Sequence, residues 1–74
     1  MDHFDRTIIQ LLVDTENMKF NEIQEKVDFS HNTLQQHLED LLEKGIIKRI
    51  ESFKTNLEGL LTSIRYLKAS EEGL

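Results

Sequence analysis

One segment, bounded at both ends by helix signals, most constrains how this chain folds. Ser30 is a favoured N-cap residue, and Gly45 lies where a glycine in the left-handed conformation commonly ends a helix. Between them, leucines recur at the spacing of one helix face: Leu34, Leu38, Leu41 and Leu42. The sequence therefore predicts a helix over 31–44 whose apolar stripe must be buried.

Two shorter amphipathic segments precede this helix. The first, over 2–14, has Asp2 as its predicted N-cap and Asp5 in its first turn, where the helix dipole favours an anion. Its apolar stripe consists of Phe4, Ile8, Leu11 and Leu12. The second segment, over 21–27, has Asn21 as its predicted N-cap. It spans only two turns, so it is stable only when packed against the rest of the chain.

After Gly45 the pattern changes to that of β-strands. Ile46, Ile47 and Ile50 predict a first strand, and β-branched and aromatic residues predict a second over 63–69. The segment between them, 52–62, is expected to be a long loop. Its three leucines either pack within the hairpin or form an interface: Leu57, Leu60 and Leu61. A short extended stretch is also expected at 18–20.

Length and composition limit what the chain can be. Its 74 residues are expected to form a single domain over 1–74. There is no cysteine, which excludes disulfides, thiolate metal sites and cysteine nucleophiles. No apolar run approaches the length of a membrane span, so a soluble, intracellular and cytoplasmic protein is expected.

Charge is distributed unevenly along the chain. The net charge is −5, which taken alone argues against nucleic acid. Residues 1–45 carry four Lys and Arg against ten Asp and Glu, whereas residues 46–68 carry five against two. The positive charge is therefore concentrated in one third of the chain, where an anionic partner would bind.

The predicted order is three helices followed by a two-stranded hairpin, with a short turn between the second and third helices. This is the plan of a winged helix-turn-helix. The chain resembles small winged-helix transcription regulators of the ArsR-like, HxlR-like and MarR-like families. The resemblance is carried by Lys19 to Val27, Ser30 to Leu34, His37, Leu38, Leu41 and Gly45 to Ile47. The tail from Tyr66 to Leu74 is similar to the Tyr-x-Leu-Thr-x-x-Gly sequence that follows the wing in those families.

The chain departs from these families in three respects. It lacks the long additional helix with which many of these regulators dimerise. It lacks the cysteines of the metal-sensing ArsR members, so thiolate sensing is not implied. Its third helix also carries acidic residues that would repel phosphates if they faced DNA: Glu39, Asp40 and Glu43.

The resemblance implies sequence-specific binding of double-stranded DNA, with the third helix in the major groove and the wing, 46–68, on the backbone or in the minor groove. Amides at the spacing of one helix face suit adenine: Asn32, Gln35 and Gln36. Residues around the helix N-terminus suit phosphates: Ser30, His31 and Thr33. Basic residues of the wing suit the backbone: Lys48, Arg49 and Lys54. A homodimer on a pseudo-palindromic site is expected.

Several alternatives remain open from sequence. The amides and the basic residues can each form an ordinary solvated face, and His37 can either pack between helices or contact DNA. His3, His31 and His37 lack zinc-ligand spacing, so no metal site is expected, and no cofactor is expected either. Catalytic motifs are absent, so an enzyme is not expected. The rival function is a winged helix that contacts proteins instead of DNA.

Overall fold

The computed structural model describes residues 2–70 and has the predicted order of three helices followed by an antiparallel hairpin. The elements are α1 (His3–Asp14), α2 (Phe20–Lys26), α3 (His31–Glu43), β1 (Ile47–Thr55) and β2 (Leu61–Ala69). This is a winged helix, in which β1 and β2 with their connecting turn form the wing. Residues 71–74, which complete the predicted tail motif, lie outside the described part of the chain.

Two of the three predicted N-caps are confirmed. Asp2 Oδ1 accepts a hydrogen bond of 2.9 Å from the Asp5 backbone N–H, and α1 begins at the next residue after Asp2. Ser30 Oγ accepts one of 3.2 Å from the Thr33 backbone N–H at the start of α3. Both bonds satisfy N–H groups that the first turn of a helix leaves without intrahelical partners.

The end of α3 follows the predicted glycine stop. Gly45 has a φ of 75°, and its N–H bonds to the Leu42 carbonyl while the Ile46 N–H bonds to the Leu41 carbonyl. This paired arrangement is the Schellman motif, in which glycine adopts the left-handed conformation without a Cβ penalty. The helix ends at Glu43, one residue earlier than predicted, because Lys44 is the C-cap.

The predicted N-cap of the second helix is wrong by two residues. α2 begins at Phe20, and its N-cap is Lys19 instead of Asn21, which is exposed within the first turn. The Glu22 carboxylate accepts a 2.9 Å hydrogen bond from the Lys19 backbone N–H. A glutamate three residues after the cap, together with the packing of Phe20 against the core, therefore decides where the helix starts.

The core lies between the helices and the base of the wing. Its buried apolar residues are Ile8, Leu12, Met18, Ile23, Leu34, Leu38, Leu41, Ile47 and Leu67. Met18 and Leu67 exchange two backbone hydrogen bonds, so the predicted extended stretch adds a one-residue bridge to the edge of β2. Within residues 2–70, none of the helices has the length and apolar character needed to cross a membrane.

The predicted long loop over 52–62 is wrong, because both strands extend through most of it. Lys54 pairs with Thr62 and Thr55 pairs with Leu61, which leaves a turn of only five residues, 56–60. Asn56 Oδ1 accepts hydrogen bonds from the backbone N–H groups of Glu58 and Leu60, at 2.9 and 3.0 Å. The outer half of the wing has solvent on both faces, so its residues do not alternate between apolar and polar as in a half-buried strand.

Candidate nucleic-acid interface

The exposed face of α3 carries the predicted base-reading residues. Leu34, Leu38 and Leu41 are buried against the core. This orientation leaves on the outside the side chains of Asn32, Gln35, Gln36 and Glu39, all of which are exposed. The amides therefore form a continuous polar surface on the second helix of the helix-turn-helix, where their donors and acceptors are accessible.

The predicted phosphate-contacting residues surround the start of α3, where they also make internal contacts. Ser30 Oγ donates a 2.9 Å hydrogen bond to Thr33 Oγ1 in addition to capping the helix. The His31 ring lies edge-on to the Phe20 ring, with centroids 5.0 Å apart. Ser30 and His31 are exposed and Thr33 is half-buried. His31 therefore links α3 to α2, and all three side chains border the N-terminus of α3.

The basic residues of the wing lie on two opposite faces. Successive strand residues point to opposite sides, and directly paired residues share a side. Lys48, Lys54 and Lys68 therefore form one face, which we call the lysine face. Arg49 and Arg65 lie on the other, the arginine face, together with the buried residues Ile47 and Leu67. Three of the predicted site residues, Lys48, Arg49 and Lys54, thus do not form one cluster.

The arginine face lines an open groove beside α3. This α3–wing groove has a volume of about 330 Å³ and is bordered by Gln35 and Glu39 on one side and by Arg49 and Arg65 on the other. Its remaining lining is His31 and the mainly apolar group of Phe20, Leu38, Leu42, Tyr66 and Leu67. Arg49 is therefore the predicted wing residue that the structure brings close to the amide face.

Arg65 is a basic residue of this groove that the sequence analysis did not include among the site residues. Its partner across the strands is Glu51, whose carboxylate accepts a 2.6 Å hydrogen bond from Ser63 Oγ. The alternation between Arg65 and the buried Leu67 is the signal that could have identified it. An arginine two residues from a core position lies on the core-facing side of the strand and therefore close to α3.

Two of the three acidic residues of α3 lie near positive side chains, which reduces their repulsion of DNA phosphates. Asp40 forms a 2.9 Å ion pair with Lys44 one turn later, and this contact raises the pKa of the Lys44 ammonium above its usual value. Glu39 borders the α3–wing groove opposite two guanidinium groups. Glu43 is the exposed acidic residue of α3 that has neither this ion pair nor this position in the groove. It lies at the end of α3 remote from Ser30.

His37 packs between helices, which decides between the two alternatives that the sequence left open. Its Nδ1 lies 3.0 Å from Asp5 Oδ1 and 3.9 Å from Asp2 Oδ2, both on α1 or its cap. The Phe4 ring lies against the imidazole with centroids 4.9 Å apart. Asp5 lies in the first turn of α1, as predicted, and is only 6% exposed. The pKa of Asp2 is lowered chiefly by the hydrogen bond from the Asp5 N–H.

The outer end of the wing is apolar and exposed. Leu57 is fully exposed at the turn, and Phe53 on β1 is 63% exposed. Leu60 and Leu61 complete the group, which we call the wing-end cluster. The alternative in which these leucines pack within the hairpin is therefore wrong. An exposed apolar group of this kind marks a contact surface more often than an ordinary solvated surface.

The architecture defines a class of protein. α2 and α3 are joined by four residues, 27–30, and a hairpin follows α3 directly, which is the arrangement of a winged helix-turn-helix. Residues 1–48 match the family model described as winged helix-turn-helix DNA-binding. The chain therefore belongs to that family. The match covers the three helices and the first residues of β1, so most of the wing lies beyond it. No curated protein matches the chain.

Proposed function

We propose that the protein is a transcription regulator that binds double-stranded DNA sequence-specifically, with α3 in the major groove. The observation that supports this most directly is the exposed amide face of α3, opposite the buried leucines. Asn and Gln side chains can bond bidentately to adenine N6 and N7, and each good pair contributes about 1–3 kcal/mol of discrimination. The proposed base-reading residues are Asn32, Gln35 and Gln36.

The phosphate contacts are proposed on both sides of this helix. Ser30, His31 and Thr33 surround its N-terminus, where free N–H groups and the helix dipole favour an anion. Arg49 lines the α3–wing groove, to which the structure adds Arg65. Lys48 and Lys54 on the lysine face are proposed to contact the backbone or minor groove. Lys48 lies directly opposite Lys68, an unfavourable pairing of like charges that a bound phosphate would relieve.

We propose further that a single domain over 1–74 acts as a homodimer on a pseudo-palindromic site. One module of this size makes few base contacts, and two copies related by a twofold axis double them. The proposed role is regulatory and not catalytic, since the family is a DNA-binding one. Access to chromosomal DNA implies the cytoplasmic location that we propose.

Base reading is tested by replacing the amides singly. Gln35→Ala and Gln36→Ala should each relax base preference at one or two positions of a site selected from a random duplex pool. Affinity for that site should fall by an amount equivalent to about 1–3 kcal/mol, with little change on random DNA. Gln10→Ala is the matched control, because Gln10 is an exposed glutamine on α1. Equal losses on selected and random duplexes would assign the two glutamines to the backbone instead.

A second function is favoured by the wing-end cluster. Its exposed apolar residues and the net charge of −5 also suit a winged helix that contacts another protein. Salt dependence separates the two functions. If the protein binds random duplex DNA strongly at low salt and its affinity falls steeply as salt rises, the DNA-binding function is supported. The absence of binding at any salt concentration supports the protein-contact function.

A further inference from the structure

The structure assigns to Asp2, Asp5 and His37 a binding site for a divalent transition-metal ion that joins α1 to α3. Their ligand atoms all lie within 4.8 Å of one another. Two carboxylates come from the start of α1, and the imidazole comes from the middle of α3. Thirty-one residues separate Asp5 from His37, so only the packing of the two helices brings these donors together.

The distances fit a metal ion without a large rearrangement. Zinc bonds to His nitrogen and carboxylate oxygen are about 2.0–2.2 Å long, which places two tetrahedral ligand atoms roughly 3.3–3.5 Å apart. His37 Nδ1 lies 3.0 Å from Asp5 Oδ1 and 3.9 Å from Asp2 Oδ2, on either side of that value. Shifts of about half an ångström, on the order of thermal motion in a folded protein, bring Nδ1 to the separation of zinc ligands from each of these two oxygens. The ion would then replace the hydrogen that Nδ1 shares with Asp5, and this proton would be released to solvent or move to Nε2.

Each of the three donors is restrained by its surroundings. The Asp2 Oδ1 atom is fixed by its hydrogen bond to the Asp5 N–H, which leaves Oδ2 directed at the imidazole. The Asp5 side chain is only 9% exposed. Phe4 lies against the His37 ring, and Phe29 lies edge-on to Phe4 with centroids 4.7 Å apart. Ligands whose orientation is fixed in advance lose little conformational freedom when a metal binds.

Charge and donor chemistry together indicate the kind of ion. The two carboxylates together carry a charge of −2, with one of them on the buried residue Asp5, and a divalent cation neutralises this charge. Residues 1–45 as a whole are strongly acidic, which attracts cations. An imidazole nitrogen suits zinc and other transition metals, whereas magnesium and calcium prefer oxygen ligands only. Water molecules would complete the coordination on the exposed side of Asp2.

Metal binding is expected to stabilise the helix-turn-helix, since the ion links α1 directly to α3. A ligand that binds the folded state alone raises its stability in proportion to the logarithm of the ligand concentration over Kd. Zinc at about one hundred times its Kd should therefore raise the thermal midpoint by roughly 10 °C or more. Calcium at the same concentration should change it by far less.

The test compares melting of the full chain with zinc chloride, with calcium chloride and with a chelator. Asp2→Asn is the sharpest variant, because asparagine caps a helix as well as aspartate does but lacks the second carboxylate oxygen. We expect this variant to fold normally and to lose at least tenfold in zinc affinity by calorimetric titration. His37→Gln should abolish the zinc-dependent shift, while His3→Gln, at an exposed histidine of α1, should retain it.

Two results would overturn the assignment. One is a wild-type midpoint that zinc leaves unchanged, and the other is an equal shift in Asp2→Asn, His37→Gln and His3→Gln. Either result would show that the His37–Asp5 contact is an ordinary hydrogen bond between helices. Any effect of zinc on DNA affinity would depend on the proposed DNA-binding function. Melting in the absence of DNA therefore tests the metal site even if the proposed DNA binding fails.

Discussion

At the scale of single residues, Ser30 shows how stability and recognition share one side chain. Its hydroxyl caps α3 and bonds to Thr33, yet it also borders the helix N-terminus proposed to receive a phosphate. Substitutions that keep the cap while changing the charge can separate these roles. Aspartate is such a residue, because it caps helices about as well as serine.

We therefore expect Ser30→Ala and Ser30→Asp to have opposite profiles. Ser30→Ala removes the cap and should lower the free energy of unfolding by about 0.5–2 kcal/mol, measured by urea denaturation. Ser30→Asp should fold with nearly wild-type stability but bind DNA at least about tenfold more weakly at low salt, because its carboxylate repels the phosphate. Wild-type DNA affinity in Ser30→Asp would show that no phosphate lies near this position.

Leu38 is the residue at which the core prediction is most directly tested. It is 3% exposed, and Leu38→Ala should cost about 2–5 kcal/mol through lost burial and the cavity that remains. Since a domain this small has roughly 3–5 kcal/mol to lose, much of the population should unfold. Leu57→Ala is the matched control and should leave the thermal midpoint nearly unchanged, since Leu57 is fully exposed. Equal midpoints for the two variants would contradict the packing of α3.

At the scale of elements, the wing differs most from its sequence prediction. Each strand has nine residues and spans about 30 Å, so the wing extends well beyond the helices. Lys54, expected in a loop, is held in the strand ladder opposite Thr62, one pair before the turn. Its side chain therefore projects from the lysine face near the outer end of the wing, in a fixed direction.

The position of Lys54 makes the salt dependence of DNA binding a test of the wing. Lys54→Ala should release about one fewer counterion, so the slope of log affinity against log salt should flatten by roughly 0.9. The loss of affinity should be the same for all duplexes, since phosphates carry no sequence information directly. Lys26→Ala is the control, because this exposed lysine lies on α2 in the acidic part of the chain. If only Lys26→Ala flattened the slope, the proposed docking would be wrong.

At the scale of the whole molecule, shape and surface together favour association between copies. The described chain measures 45 × 28 × 21 Å, and the nine-residue strands of the wing are its longest elements. The wing-end cluster is the main exposed apolar group there. On the helices, Val13 is 51% exposed, whereas Ile9 packs against the core. The wing therefore exposes more apolar area than the first helix.

We accordingly expect the wild-type chain to sediment as a dimer at high micromolar concentration. Replacing Phe53 and Leu61 together with serine should shift the equilibrium to monomer, because it removes apolar surface without adding charge. Val13→Ser is the comparison variant and should remain dimeric. A wild-type chain that sediments only as a monomer would refute the dimer, and dissociation by Val13→Ser alone would move the interface to α1.

Local sequence alone determined most of the helical framework. Ser30, Gly45 and the leucine stripe specify α3 because caps and periodicity act within a few residues of each other. The order of elements likewise followed from local pattern, and it indicated the winged helix. The N-cap of α2 was missed by two residues, since Asn21 and Glu22 offered competing local signals and the packing of Phe20 favoured one of them.

Only the tertiary structure decided which distant residues meet. The strand register placed the lysines of both strands on one face of the wing and the arginines on the other, because the pairing decides which residues of β1 and β2 share a side. The packing of α1 on α3 brought Asp5 to His37, and that of the wing on α3 brought Arg65 and Gln35 to the same groove. Such contacts arise from burial of the shared core, which fixes side chains relative to one another over separations that no local pattern spans.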